Sequence, residues 1–288
     1  MKTTIGYLLL FTLIFCAACN PRKQHQQHPK GAFDVLWAGE KSVADARRIP
    51  AEPKKPSAEP LPERLEIPAP LVGKPEQILH RAGYTVSYNP TTRIPNWVAW
   101  QLTAEHADGR FKRAGIPFME DEDVPMPRAN TFDYNQSGFD RGHMCPSADC
   151  KWSEQAQRDC FLLTNICPQS HSLNAGDWNE MEQQCRAWAG RYGSISIVCG
   201  PILFNQRHKT IGRNKITVPE AFFKVVLCME GTPKAIAFIY RNRPGNRPKG
   251  DYVNSVDEVE RITGIDFFPS LPDDVETAVE QDQNLSDW

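Results

Sequence analysis

Absences set the first bounds on this 288-residue sequence. It lacks an apolar run long enough to cross a bilayer comfortably: residues 5–15 are apolar, whereas a spanning helix needs ~20 residues. It lacks a strong net charge, with 33 basic and 35 acidic residues giving a formal -2. That balance argues against a protein that coats nucleic acid through bulk positive charge, although a phosphate site needs only a local cluster of Arg and Lys. Its nine cysteines lack the paired C-x2-C spacing of a structural zinc site. No internal repeat is visible. Strand-like runs do not alternate with helices in the βαβ manner, which argues against a Rossmann-like chain.

What is present falls into three parts. Residues 1–19 read as a lipoprotein signal peptide: Lys2 supplies a positive start, the apolar run follows, and Ala17 and Ala18 precede Cys19. Small-small-Cys after such a run resembles the bacterial lipobox, in which the Cys is acylated. Acyl chains anchor at about 0.8 kcal/mol per buried CH2. The expected location is therefore that of an exported bacterial lipoprotein, periplasmic or at the cell surface, held to the membrane through Cys19. Cys16 stands where Leu is usual, and a plain secretory signal or an uncleaved anchor helix are the alternatives. Residues 20–75, with "EPKKPSAEPLPERLEIPAP", bury too little apolar surface to offset their ordering entropy. They are expected to form a disordered, stiffish tether. Residues 76–288 are expected to fold. In an oxidising compartment the seven cysteines outside the signal would pair in part, and their odd number leaves at least one free.

Within residues 76–288, "YTVSYNP" and "WVAWQLT" read as strands joined by a turn at Asn89-Pro90. Residues 111–130 are polar and proline-punctuated, as in a long surface loop. "CFLLTNI" reads as a buried strand. Met181, Cys185 and Trp188 recur at helical spacing. Three more strand-like runs cover residues 194–198, 222–228 and 235–240, and a closing helix over 256–263 ends at Gly264. Strand runs with segregated helices indicate an α+β fold with a largely antiparallel sheet flanked by helices.

The segment "SGFDRGHMCPSADC" carries the most chemistry. Gly138 and Gly142 allow a tight path that presents Asp140, Arg141 and His143. A neutral imidazole accepts a proton from water near pH 7, and an arginine offers a fork of donors to a phosphate. Asp-Arg-Gly-His by itself also fits a structural turn with an ion pair. Downstream, Asn165, Asn174 and Glu182 offer hard oxygens of the kind that hold a magnesium ion which keeps several waters. Asn174 as a helix cap or turn residue, and Glu182 as a solvated helix residue, are the plainer alternatives.

Together "DYNQSGFDRGHMCPSAD", "FLLTNICPQ", "LNAGDWNEME", "VPEAFFKVVL" and "ERITGIDFFPSLP" resemble, in order, the DNA/RNA non-specific endonuclease family. These are the ββα-metal or His-Me-finger nucleases, which include endonuclease G, and the resemblance covers roughly residues 84–271. It implies a Mg2+-dependent endonuclease, with Mn2+ as a substitute, hydrolysing DNA and RNA with little sequence preference and leaving 5′-phosphates. It also implies that His143 is the general base and Asn174 the direct protein ligand of the metal. Glu182 would orient metal-bound water and help protonate the leaving group. Arg141 would bind phosphate, Asn165 would stand near metal and base, and Arg113 would be the second phosphate-binding arginine. His143 is expected at the end of a β-hairpin, with Asn174 and Glu182 at and on the helix that follows.

Cys145 and Cys167 depart from the family pattern and flank the site, so a disulfide between them is one expectation. A nucleic-acid-binding or uptake lipoprotein with a repurposed site is the alternative function, and a homodimer stays open. Basic residues at Arg207, His208, Lys209, Arg213 and Lys215 and across "YRNRPGNRPKG" fit either a nucleic-acid groove or a solubilising surface. Trp97, Trp100, Trp178 and Trp188 fit core packing better than base stacking.

Overall fold

The computed structural model describes residues 64–288. In chain order, β1 (Gln77–His80), β2 (Thr85–Asn89) and β3 (Ile94–Thr103) lead into the short helix α1 (Ala104–Ala107). The middle of the chain holds β4 (Asp140–His143), α2 (Glu154–Asp159), β5 (Ile166–Gln169), α3 (His171–Ala175) and α4 (Asp177–Tyr192). Then come β6 (Ser194–Ile202), β7 (Thr210–Ile211), β8 (Ile216–Thr217), β9 (Ala221–Cys228), β10 (Lys234–Arg241) and β11 (Val253–Asn254). Helices α5 (Val256–Thr263) and α6 (Asp273–Glu280) follow.

Period-two alternation builds the main sheet. Along β9, Phe222, Val226 and Cys228 enter one core while Phe223, Val225 and Leu227 enter another. Every β9 residue is buried, so the strand is covered on both faces and reads as an apolar run broken only by Lys224. The sheet has seven strands in the order β1-β2-β3-β6-β9-β10-β11, and each neighbouring pair is antiparallel. The first core takes α4 through Trp178, Met181, Cys185 and Trp188, on the three- and four-residue spacing of one helical face. The second takes α5 and α6 through Val256, Val259 and Val279, with Phe267 and Phe268. Burying each such side chain is worth roughly 1.5–3 kcal/mol. Helix α5 ends at Gly264, whose φ of 66° lies in the left-handed region and whose N–H closes the last turn on Glu260 O.

On the first face, β4 pairs antiparallel with β5, with Asp140 opposite Gln169 and His143 opposite Ile166. Two strands followed by α4 give the ββα unit of the expected nuclease fold, and the whole is α+β. Trp97, Trp100, Trp178 and Trp188 are core residues, as expected.

Several expectations are corrected. The packed domain begins before residue 76: Leu65, Ile67 and Leu71 rest on the second core, and Ala69 N donates to Asp266 O at 2.9 Å. The prolines around them masked these apolar contacts in the composition. The strand expected over "CFLLTNI" falls instead on Ile166–Gln169. The preceding Leu163–Asn165 is a 3-10 turn, held where Thr164 Oγ1 donates to Asp121 Oδ2 at 2.6 Å and Asn165 bonds to neighbouring backbone. Cys145 and Cys167 are not joined. All seven described cysteines are buried free thiols, and Cys145 Sγ faces Cys150 Sγ at 3.6 Å instead. The residues expected to carry the signal and the lipid, Cys19 among them, lie outside the described residues.

Candidate active site

His143 is the last residue of β4, and its neighbour Gly142 explains the local sequence. A Cβ on Gly142 would run into the Gln169 side chain on β5, so only glycine lets the two strands close here. The His143 ring sits between Phe118 and Phe161, with centroids 5.3 and 5.2 Å away. Its backbone oxygen accepts a hydrogen bond from Trp178 Nε1 at 3.2 Å, which ties β4 to α4. Nε2 is shut away without a partner, so Nδ1 is the ring nitrogen open to the cleft. Burial, with the Arg113 guanidinium adding to it, pushes the imidazole down to about 3. The ring is therefore neutral at physiological pH.

Asn174 lies on α3, and its orientation is set by chemistry. Its Nδ2 donates to Asp140 Oδ2 at 2.9 Å, and His171 Nδ1 lies 2.8 Å from the same oxygen. A carboxylate only accepts, so the amide must turn its NH2 to Asp140, leaving its carbonyl oxygen for the cleft. Glu182 is half-buried on α4, and burial pushes its carboxyl up to about 7 against the opposing pull of Lys224 and Arg186. Asn179, Glu182 and Arg186 share one face of that helix by their spacing of three and four residues. All three line the cleft. Below them, Arg186 donates to the buried Asp149 at 2.9 Å, and Lys224 Nζ lies 4.3 Å from the Trp178 ring centroid.

His143, Arg141, Arg113, Asn174 and Glu182 all line one cleft of about 960 Å³. The Arg141 guanidinium is held in place, donating to Thr131 O at 2.6 Å and lying over the Phe118 and Tyr134 rings. Arg113 stands on an exposed loop over the Phe161 ring. The basic linings Lys112, Arg113, Arg141, Lys151 and Arg186 outnumber the carboxylates Asp140 and Glu182. A chain of formal charge -2 thus presents a locally positive cleft.

Asn165 is the exception among the expected residues. It is fully buried and outside the cleft lining. Its Oδ1 accepts from Cys145 N, and its Nδ2 donates to Cys145 O and Cys160 O, each at 2.9 Å. It clamps the turn behind His143 rather than facing a substrate. Sequence reasoning gave no role to Asp140, Lys112, Lys151, Asn179 or Arg186, all of which line the cleft. Asn179 and Arg186 had a signal in their helical spacing from Glu182. Asp140 had one in its place within the Asp-Arg-Gly-His stretch. The basic cluster at Arg207, His208 and Lys209 is outside this lining. There His208 meets Glu220 at 2.9 Å, and Lys209 covers the Phe139 ring.

The family model for DNA/RNA non-specific endonucleases matches residues 65–274. Mitochondrial endonuclease G of Bos taurus is 32% identical over 243 residues, spanning 80% of this chain and 80% of its own. Mitochondrial nuclease 1 of Schizosaccharomyces pombe is 33% identical, over 72% of this chain and 69% of its own. A crystal structure of EndoG in complex with EndoGI superposes with a TM-score of 0.65 at 26% identity, covering 68% of this chain and 87% of that one. These relatives overturn the expected location. They are mitochondrial nucleases, pointing away from an exported bacterial lipoprotein. The alternative of a non-enzymatic binding protein gives way as well. A match running the length of the described domain, with relatives above 30% identity over most of the chain, settles the descent of the cleft: this chain belongs to the DNA/RNA non-specific endonuclease family and is a nuclease.

Proposed function

We propose that this nuclease hydrolyses DNA and RNA phosphodiesters with His143 as general base, assisted by a divalent cation on Asn174. The observation that carries the reading is the convergence of His143 Nδ1, the free end of the Asn174 amide and Glu182 on one basic cleft. His143, neutral with its proton on Nε2, presents the Nδ1 lone pair to water and takes the proton as oxygen attacks phosphorus. Arg141 and Arg113 bind the non-bridging oxygens, whose charge grows in the transition state. Arg141 is pre-positioned by Thr131 O and two aromatic rings, so little reorganisation is needed. Glu182, raised to about 7, carries a proton over part of the neutral range and can hand it to the departing 3′ oxygen.

The donor set fits a hard cation such as Mg2+, or Mn2+ in its place: one amide oxygen held outward by Asp140, with the Glu182 carboxylate in the same cleft. When bound, such an ion would supply positive charge to stabilise the phosphoryl and leaving oxygens. Recognition through phosphate charge rather than base edges fits little sequence preference.

His143→Ala is expected to lower kcat on plasmid DNA and on RNA by ~10²–10⁴-fold while nucleic-acid binding persists. EDTA should abolish turnover, and Mn2+ binding followed by electron paramagnetic resonance should weaken in Asn174→Ala. Substantial cleavage by the His143 variant would overturn the assignment of the base. Unchanged Mn2+ binding in the Asn174 variant would overturn that of the ligand.

A further inference from the structure

A second group of hard oxygens lies on the opposite face of the sheet from the cleft. Asp257 and Glu260 stand on α5 and Glu280 is the last residue of α6. One carboxylate oxygen from each lies within 4.8 Å of the other two. Glu280 is only 7% exposed, and its Oε1 is buried without a hydrogen-bond partner. That is an expensive position for a carboxylate. It is desolvated, it sits at the negative end of the α6 dipole, and Glu260, Glu276, Asp257 and Asp266 all add like charge around it. Among the described residues no ion pair joins Asp257, Glu260 or Glu280 to a lysine or arginine. Glu260 Oε1 accepts from Phe267 N at 2.6 Å, which fixes that side chain and leaves its other oxygen for a further partner.

We propose that Asp257, Glu260 and Glu280 form a structural divalent-cation site, suited by its three carboxylates to Ca2+, that pins α6 to α5. Oxygens this close together can all touch one cation, and three protein carboxylates suit Ca2+, which takes about 6–8 oxygens in flexible geometry, better than Mg2+, which keeps several waters and is usually held by one or two. The remaining positions are open to water on the side of Asp257, which is exposed. The ion neutralises the buried charge and clips together the two helices that cover the second core. This site is separate from the cleft and takes no part in hydrolysis.

The test uses the purified full chain, stripped with EDTA and carrying Asn174→Ala so that cation binding in the cleft does not intrude. Calcium is titrated by isothermal calorimetry, and melting is followed with and without it. The expected result is one calcium bound per chain and a Tm rise of about 5–10 °C at ~100 times Kd. Adding Glu280→Gln should abolish both the heat and the shift, and Asp257→Asn, a milder change at an exposed ligand, should weaken binding at least tenfold. In EDTA the Glu280 variant should melt at or above its parent, because a carboxyl that burial and surrounding like charge disfavour has been replaced by an uncharged amide. The proposal is overturned if no calcium binds, if binding survives Glu280→Gln, or if that variant melts lower in EDTA. Glu280→Gln in the otherwise native chain should cleave DNA at the native rate, and a loss of cleavage would place the group in the catalytic machinery instead.

Discussion

The two faces of the seven-stranded sheet are packed with different materials. The second face, under α5 and α6, is filled by Trp97, Val198, Phe223, Val225, Phe267 and Phe268, whose packed surfaces are apolar apart from the buried Trp97 Nε1. The first face, under the cleft, mixes aromatic and aliphatic groups with buried thiols, and buries Asn165, Gln169, Asp149 and Lys224 among them. Each of those polar groups must be satisfied or else cost stability. The contrast teaches a division of labour. One face draws its stability mainly from apolar area. The other gives up some of that area to hold charged and hydrogen-bonding side chains at the cleft, whereas the second face confines its buried carboxylate, Glu280, to the junction of α5 and α6.

Three substitutions can break or sharpen this comparison. Phe267→Ala removes a fully buried ring that meets Phe223 edge-on at 5.5 Å. It should cost about 3–5 kcal/mol of unfolding free energy. Below the melting transition kcat should be unchanged, so a fall in kcat without loss of stability would erase the division. Asp140→Asn works in the opposite sense. With an amide at 140, the Asn174 amide is no longer forced to turn its oxygen outward, so affinity for the cation should drop ~10–100-fold. Urea unfolding should barely change, and activity should return at higher Mg2+. Loss of activity that added cation cannot restore would show that Asp140 does something other than orient Asn174.

The smallest effect concerns pH. The folded-state pKa of His143, about 3, lies below the unfolded value near 6.5. Its contribution to stability is thus complete above pH 6.5 and is lost as pH falls towards 3. Native protein should therefore lose more stability than His143→Gln between pH 7.5 and 5, by no more than about 2 kcal/mol, a difference that urea midpoints can resolve. Equal losses would mean that the imidazole is better solvated than its half-buried position implies.

Most of the second face was legible in the sequence because period and punctuation act locally. Residues 222–228 read as a strand, and helix 256–263 was bounded by Gly264, as observed. Within the cleft, His143, Arg141, Asn174 and Glu182 were found through motifs, and the fold brings them together. The rest depended on contacts between distant segments. Leu65 and Ile67 look like tether until Asp266 and the second core are beside them. Asn165 looks like a site amide until its three bonds to the backbone of Cys145 and Cys160 are seen. The disulfide expectation rested on an oxidising compartment inferred from the first nineteen residues and on the places of Cys145 and Cys167 beside the site, neither of which fixes the distance between two thiols, and all seven described cysteines are free. Lys112 and Lys151 were invisible because no period links loop residues to a groove.

The Asn165 clamp has a mechanical corollary. One amide fastens the turn after β4 to the end of α2 and stands at the root of β5, while Trp178 fastens β4 to α4. His143 therefore rides on a wall that shifts as one piece or not at all. Also lining the cleft is the segment at residues 111–118, which carries Arg113. The wall thus fixes where the imidazole stands relative to the cleft, and the loop bearing Arg113 is tied to none of these bonds.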